Sequence, residues 1–236
     1  MSILLSSFIK ELKDNGNPAK AHILAGFFKT GKGQYGEGDI FLGINVPLQR
    51  QIAKEYTGMT MSDIATLLKS KIHEHRAGSL FILCYQFKKA DKKTKEKIFK
   101  FYLRNSKRVN NWDLVDLSAP NIVGEWLLEK NKDILYSLAR SKDLWQRRIA
   151  IVSTLTFIRA KKLEDTFKLS EILMDDKHDL IHKAVGWMLR EAGKRDEIVL
   201  RKFLNKHSLK MPRTMLRYSI EKFNQIDRKY YLCRKP

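Results

Sequence analysis

Apolar residues recur along this chain every three or four positions. In "IHKAVGWMLREAGKR", Ile181, Ala184, Val185, Met188 and Leu189 fall on one face of a helix. In "QRRIAIVSTLTFIR", Ile149, Val152 and Leu155 do the same, with Phe157 nearby. No stretch alternates with the period of two that a half-buried strand needs, and no valine-rich runs bracket hairpin turns. Proline is scarce, and Pro18, Pro47, Pro120 and Pro212 fall where helices are expected to start or kink. The opening "MSILLSSFIKELKDNG" has no basic segment ahead of its apolar residues, and Lys10 to Asp14 interrupt them. It reads as a helix and not as a secretory leader.

The helices form a weak repeat. A basic residue opens an amphipathic segment at "HRAGSLFIL" (Arg76), "QRRIAIVSTL" (Arg148), "HKAVGWMLRE" (Lys183) and "PRTMLRYSI" (Arg213), and "NNWDLVDLSAP" falls midway in the gap between the first two. The steps between these landmarks are roughly 30 to 40 residues, the range of two-helix repeats such as HEAT. One pair cannot bury its apolar face alone, but stacked pairs share a continuous core and line up equivalent residues along a concave surface. The pattern predicts an all-α chain, a curved superhelical stack of HEAT-like antiparallel helix pairs (an α-solenoid), as a single domain over 1–236. An irregular helical bundle with coincidental spacing is the alternative.

Composition narrows the partners. Lys and Arg number 46 against 26 Asp and Glu, a formal net charge of +20, while 43% of residues are apolar. The chain has ample material for a core and carries a long-range positive field, whose usual partners are nucleic acid or an anionic membrane. No apolar run approaches the roughly 20 residues that a membrane span requires. Cys84 and Cys233 are the two cysteines, which fits a reducing cytoplasmic setting without a disulfide framework. Basic runs from Lys88 to Arg108 and from Arg201 to Lys235 are expected to track phosphates.

Several motifs lead nowhere. "GFFKTGKG" approaches a phosphate-binding loop but has Gly33 where Ser or Thr would hold magnesium, and no strand precedes it. "GKGQYG" is an isolated glycine pattern, better read as a connecting loop. His178 and His182 are four apart but lack further ligands nearby, so they are read as a solvated helix start and no metal is expected. "NNWDLVDLSAP" carries more. With Asn111 as N-cap, Trp112 and Asp116 share a helical face, and Asp113 falls in the first turn, where the helix dipole favours an anion. Taken singly, Trp112 is read most simply as a core anchor and Asp116 as an arginine's ion-pair partner.

Taken with Arg148 and Trp187, these residues resemble the AlkD-type DNA glycosylases, the DNA alkylation repair proteins. The likeness covers most of the chain and is clearest in "QYGEGDIFLGINVPLQR", "NNWDLVDLSAPNIVG", "LWQRRIAIVSTL" and "HKAVGWMLREAGK". It implies a stack of helical pairs that grips duplex DNA and removes N3- and N7-alkylated purines in base excision repair. It also implies that Asp116 is the catalytic aspartate, Trp112 and Trp187 the tryptophans facing the lesion, and Arg148 the catalytic-site arginine. Arg147, Arg148, Lys183, Arg190, Arg213 and Phe27 are the expected DNA contacts. Phe27 falls where the family has a tyrosine, and the loop from Lys29 to Asp39 is longer than in the best-known member.

The chemistry suits such a set. An alkylated purine is cationic and leaves as a neutral base, so no general acid is needed, in contrast to the two carboxylates of ordinary glycosidases. One carboxylate then suffices, stabilising the oxocarbenium-like sugar and orienting water. Indole faces attract the same positive charge, by about 0.5 to 2 kcal/mol each. The expected protein is a monomeric, cofactor-free, monofunctional hydrolase of the cytoplasm that associates with the nucleoid through double-stranded DNA. The competing readings are a non-catalytic helical-repeat binder of bent or branched DNA and a scaffold for an acidic protein.

Overall fold

The structure is a computed structural model that describes residues 2–234. They gather into two compact units, Met1–Ile122 and Val123–Pro236. Helices account for the regular structure, and an isolated parallel bridge between Ile40 and Ile72 is the one β pairing among the described residues.

The first unit contains α1 (Ile3–Asp14), α2 (Pro18–Phe27), α3 (Val46–Glu55), α4 (Met61–Leu68), α5 (His73–Lys89), α6 (Lys92–Arg104) and α7 (Trp112–Ala119). Polar side chains start most of them. Ser2, Asn17, Asn45 and Asp91 each accept a backbone N–H of the first turn, and Thr60 with Asp63 forms a reciprocal capping box. Helix α5 is the central element, packed against α3, α4 and α7, so Leu80, Ile82 and Leu83 are all buried although they point in different directions. Arg76, expected to line a surface, is instead buried at 3% exposure, because its guanidinium is paired with Asp39.

Residues 28–45 form a loop strapped to the start of α5. Ile40 N–H donates to Lys71 C=O, and His73 N–H donates to Ile40 C=O. The buried Glu74 carboxylate accepts the N–H groups of Leu42 (2.9 Å), Gly43 (2.8 Å) and Ile44 (3.3 Å). Gly43 has φ +83°, and a Cβ there would lie 2.1 Å from the Asn17 carbonyl oxygen, so only glycine fits. The glycine-rich segment is a connecting loop, as its composition predicts. The Gly31 and Gly33 N–H groups are taken by the loop's own Gln34 and Glu37 side chains.

The second unit holds α8 (Glu125–Leu127), α9 (Asp133–Ala139), α10 (Leu144–Arg159), α11 (Glu164–Ile172), α12 (Asp179–Gly193), α13 (Glu197–His207), α14 (Arg213–Ser219) and α15 (Gln225–Cys233). Helix α10 packs on α12 and α12 on α14, with α9, α11 and α13 alongside. The starts of α10, α12 and α14 are roughly 35 residues apart, matching the repeat read from the sequence. The chain is thus an all-helical solenoid of helix pairs. Helix α10 differs from the one-sided pattern expected of it. Arg148 through Ile158 are all buried, because neighbours cover its whole circumference.

Candidate active site

Helix α7 begins as the sequence predicts. Asn111 is extended and buried, and its side-chain oxygen accepts the Trp112 N–H at 2.8 Å. Leu114, Val115, Ser118 and Ala119 face inward, while Trp112 and Asp116, one turn apart, stay half-buried on another side. Four residues past Asp116 stands Pro120. It has no N–H to offer the Asp116 carbonyl, and the helix widens there into a π turn, Pro120–Gly124.

Trp112 is held by aromatic rings from the loop. Phe28 stacks on it (centroids 5.1 Å apart, planes at 20°) and also stacks on Phe41 (5.0 Å, 18°), while Phe41 stacks on the His73 imidazole (4.6 Å). Phe27 meets Trp112 edge-on at 5.9 Å and is 61% exposed. The Trp112 indole N–H donates to the Tyr35 hydroxyl at 3.2 Å. Trp112 therefore combines anchoring with partial exposure, and its rotation is fixed by both stacking and a hydrogen bond.

Asp113 does more than complement a helix dipole. One carboxylate oxygen accepts the Leu114 N–H, and the other lies 2.7 Å from His73 Nε2. His73 Nδ1 faces Asp39, which also accepts from Arg76 at 2.7 Å and from Asn111 at 3.4 Å. Burial works to lower the His73 pKa, but the hydrogen bonds of Asp113 and Asp39 outweigh it and hold the pKa at about 9. Asp39 is likewise opposed by burial, yet His73 and Arg76 keep its carboxyl below the usual range. The cluster sets the His73 and Arg76 side chains against the Asp39 and Asp113 carboxylates in one hydrogen-bonded network beneath α7.

Around Asp116, burial dominates its neighbours. Burial pushes the Tyr102 phenol well above its ordinary pKa, against its bond to Ser118, and Asp116 adds to the rise. Burial also pushes the Cys84 thiol up to about 12, so it stays protonated and is no nucleophile.

Arg148 and Trp187 belong to the second unit. Arg148 is 5% exposed and donates to the Leu180 carbonyl at 2.6 Å, which ties α10 to the first turn of α12. Trp187 is half-buried on α12. Lys183, Trp187 and Arg190 are spaced by four and three residues, so they form one stripe of that helix. Gly186, beside Trp187, lets α14 approach closely: a Cβ there would lie 2.6 Å from the Met215 carbonyl oxygen and 2.5 Å from Tyr218 Cβ.

The other expected DNA contacts have partners within the chain. Arg147 is tied to Asp176 at 2.5 Å and to the Ser141 and Lys142 carbonyls. Arg190 is paired with Glu221 and Glu191, and the more exposed Lys183 with Asp179. Arg213 is exposed and donates to the Leu232 carbonyl. His178 is the N-cap of α12, accepting the Leu180 N–H, and His182 contacts the Asp176 carbonyl, so the pair serves a helix start. No cluster of three metal-ligating side chains occurs among the described residues.

Sequence reasoning did not single out Tyr35, Phe28, Asp39 or His73. Tyr35 and Asp39 lie within "QYGEGD", but no local spacing connects them with α7, which is more than 70 residues away in sequence.

A family model described as DNA alkylation repair enzyme matches residues 8–223. No curated protein matches the chain. A solved structure, a predicted DNA alkylation repair enzyme from Enterococcus faecalis, shares the fold with a TM-score of 0.69 at 16% identity. The match covers 89% of this chain and 98% of that one.

Proposed function

Since the chain belongs to the DNA alkylation repair enzyme family, we propose that it is a monofunctional glycosylase that hydrolyses the N-glycosidic bond of N3- and N7-alkylated purines in duplex DNA. The observation that carries this reading is the half-buried face of α7. There a carboxylate, Asp116, and an indole, Trp112, stand one turn apart on a rigid support. A cationic base departs as a neutral molecule, so charge develops on the sugar alone. Asp116 stabilises that charge and orients the attacking water. The Trp112 and Trp187 faces attract the same charge.

Arg148 is assigned the sugar–phosphate backbone, whose position it fixes by a charge-assisted bond. Lys183, Arg190, Arg213 and Phe27 are assigned the flanking DNA. Arg147, held by Asp176 and two carbonyls, is assigned more to stiffening the loop before α10 than to the phosphates. The enzyme acts as a monomer in the cytoplasm, at the nucleoid.

Incubation with methylated duplex DNA, followed by chromatography of the released bases, tests the reaction. The expected products are 3-methyladenine and 7-methylguanine, with little release of neutral lesions such as uracil. Efficient uracil release would show that a general acid acts here and overturn the single-carboxylate mechanism. Tight binding of alkylated duplex without any base release would favour the non-catalytic binder.

A further inference from the structure

The densest charge on the molecule is not on the helix that carries Asp116. Residues 88–108 hold ten Lys and Arg against two Asp and Glu, a local excess of eight out of a net +20. Helix α6 and the short 3-10 turn after it, Ser106–Arg108, supply most of it. On α6, Lys93, Lys97, Lys100 and Arg104 are exposed and spaced by four, three and four residues, so they form one stripe. The opposite side of the helix buries Ile98, Phe101 and Tyr102.

The packing within the first unit fixes which way that stripe faces. The Tyr102 hydroxyl is 2.9 Å from that of Ser118 on α7. Tyr102, which reaches α7, and the cationic stripe lie on opposite sides of α6, so the cations point away from α7 and from Asp116. Phosphates lying along this stripe are not those presented to Asp116.

The surface chemistry selects the partner. No large apolar side chain is exposed between residues 88 and 108, whereas protein interfaces have an apolar core and membrane-surface helices an apolar face. Four cations stepping about 5 Å apart along a rigid helix, without apolar anchors, suit a phosphate backbone read without regard to sequence. Of the four, Lys100 has an exposed ion pair with Glu96, which holds it only weakly.

We infer that α6 and the turn following it form a second, sequence-independent site for duplex DNA, distinct from the face that bears Trp112 and Asp116. The inference shares only DNA as a partner with the proposed glycosylase reaction. The protein would thus hold two duplex segments at once, and could pass from one to the other without release.

Bridging is measured with undamaged 12-base-pair duplexes, half carrying a donor dye and half an acceptor, at low salt. Wild type is expected to give energy transfer that vanishes at high salt, and sedimentation is expected to show two duplexes per chain. The variant K93E/K97E/K100E/R104E, and the milder K93Q/K97Q/K100Q/R104Q should the first melt early, are expected to bind one duplex without energy transfer. Base release from a methylated 12-mer by either variant should stay within about twofold of wild type. One duplex per wild-type chain, or bridging that persists in both variants, overturns the inference. So does binding to phosphatidylserine vesicles in place of the second duplex. Failure of wild type to bind any duplex would remove DNA as the partner, and with it the glycosylase reading. Bridging without base release would leave the second site standing and remove only the glycosylase.

Discussion

Trp112 and Trp187 have the same assigned task and are held in opposite ways. Trp112 stands at the first turn of a short helix, and its ring is set by the end of α2 and the loop after it: Phe28 on its face, Phe27 at its edge, Tyr35 on its N–H. That loop is in turn secured by Glu74 and by the buried Asp39–His73–Asp113 network. Trp187 lies midway along a long helix, and its location follows from close backbone packing at Gly186. One residue is placed by long-range polar bonds, the other by shape. The first arrangement depends on charge and pH, and the second on volume.

The largest effect expected separates the two acids of α7. Asp116→Asn keeps size and removes charge, so the variant should fold, bind DNA and lose about 10²- to 10³-fold in single-turnover excision. Asp113→Asn should behave the other way round. It takes the negative charge away from the acid 2.7 Å from the buried His73, so the melting temperature should drop while the folded fraction retains most of its rate. A destabilised but fully active Asp116→Asn protein would reverse the two roles.

Charge dependence in the first unit is tested by pH. The His73 pKa is raised from 6.5 to about 9 on folding, so its stabilisation is complete below pH 6.5 and is lost as pH rises through 9. The span corresponds to roughly 3 kcal/mol. The lowered Asp39 pKa acts at the other end, its contribution being present above 3.8 and lost as acid protonates it. Urea unfolding of wild type should show stability falling between pH 6.5 and 9.5, and His73→Gln should flatten that slope. An unchanged slope would mean that another group titrates there.

Volume dependence is tested at Gly186. Alanine places a methyl against the backbone of α14, and overpacking of this kind costs about 1 to 3 kcal/mol. The loss should be the same at pH 6.5 and 9.5. A pH-dependent loss would erase the contrast between the two tryptophans.

The same contrast explains what the sequence disclosed. Helix periodicity and the N-cap at Asn111 are local patterns within about 15 residues, the repeat is a recurrence of such local patterns, and the structure agrees with them. Trp112, Asp116, Arg148 and Trp187 drew notice because each stands in a distinctive short motif. Arg76 was misplaced on a surface because nothing near it in sequence announces Asp39, its partner 37 residues away. The supports of Trp112 were hidden for the same reason. A glycine-rich loop reads as a mere connection until folding brings Tyr35 against a ring 77 residues distant.

The smallest effect expected concerns that contact. Tyr35→Phe removes one hydroxyl, and with it the acceptor of the Trp112 indole N–H, while the stack on Phe28 remains. A single neutral hydrogen bond is worth about 0.5 to 1.5 kcal/mol. If Tyr35 positions the indole, the single-turnover rate should fall by roughly two- to tenfold, with affinity for undamaged duplex unchanged. The magnetic resonance signal of the Trp112 indole N–H, identified by its absence in Trp112→Phe, should shift upfield and exchange faster with solvent. These two readouts are separable. A moved signal with an unchanged rate would make Tyr35 a structural partner of Trp112 without influence on the reaction. An unmoved signal would show that Tyr35 does not hold the indole, leaving the aromatic stack alone to orient it.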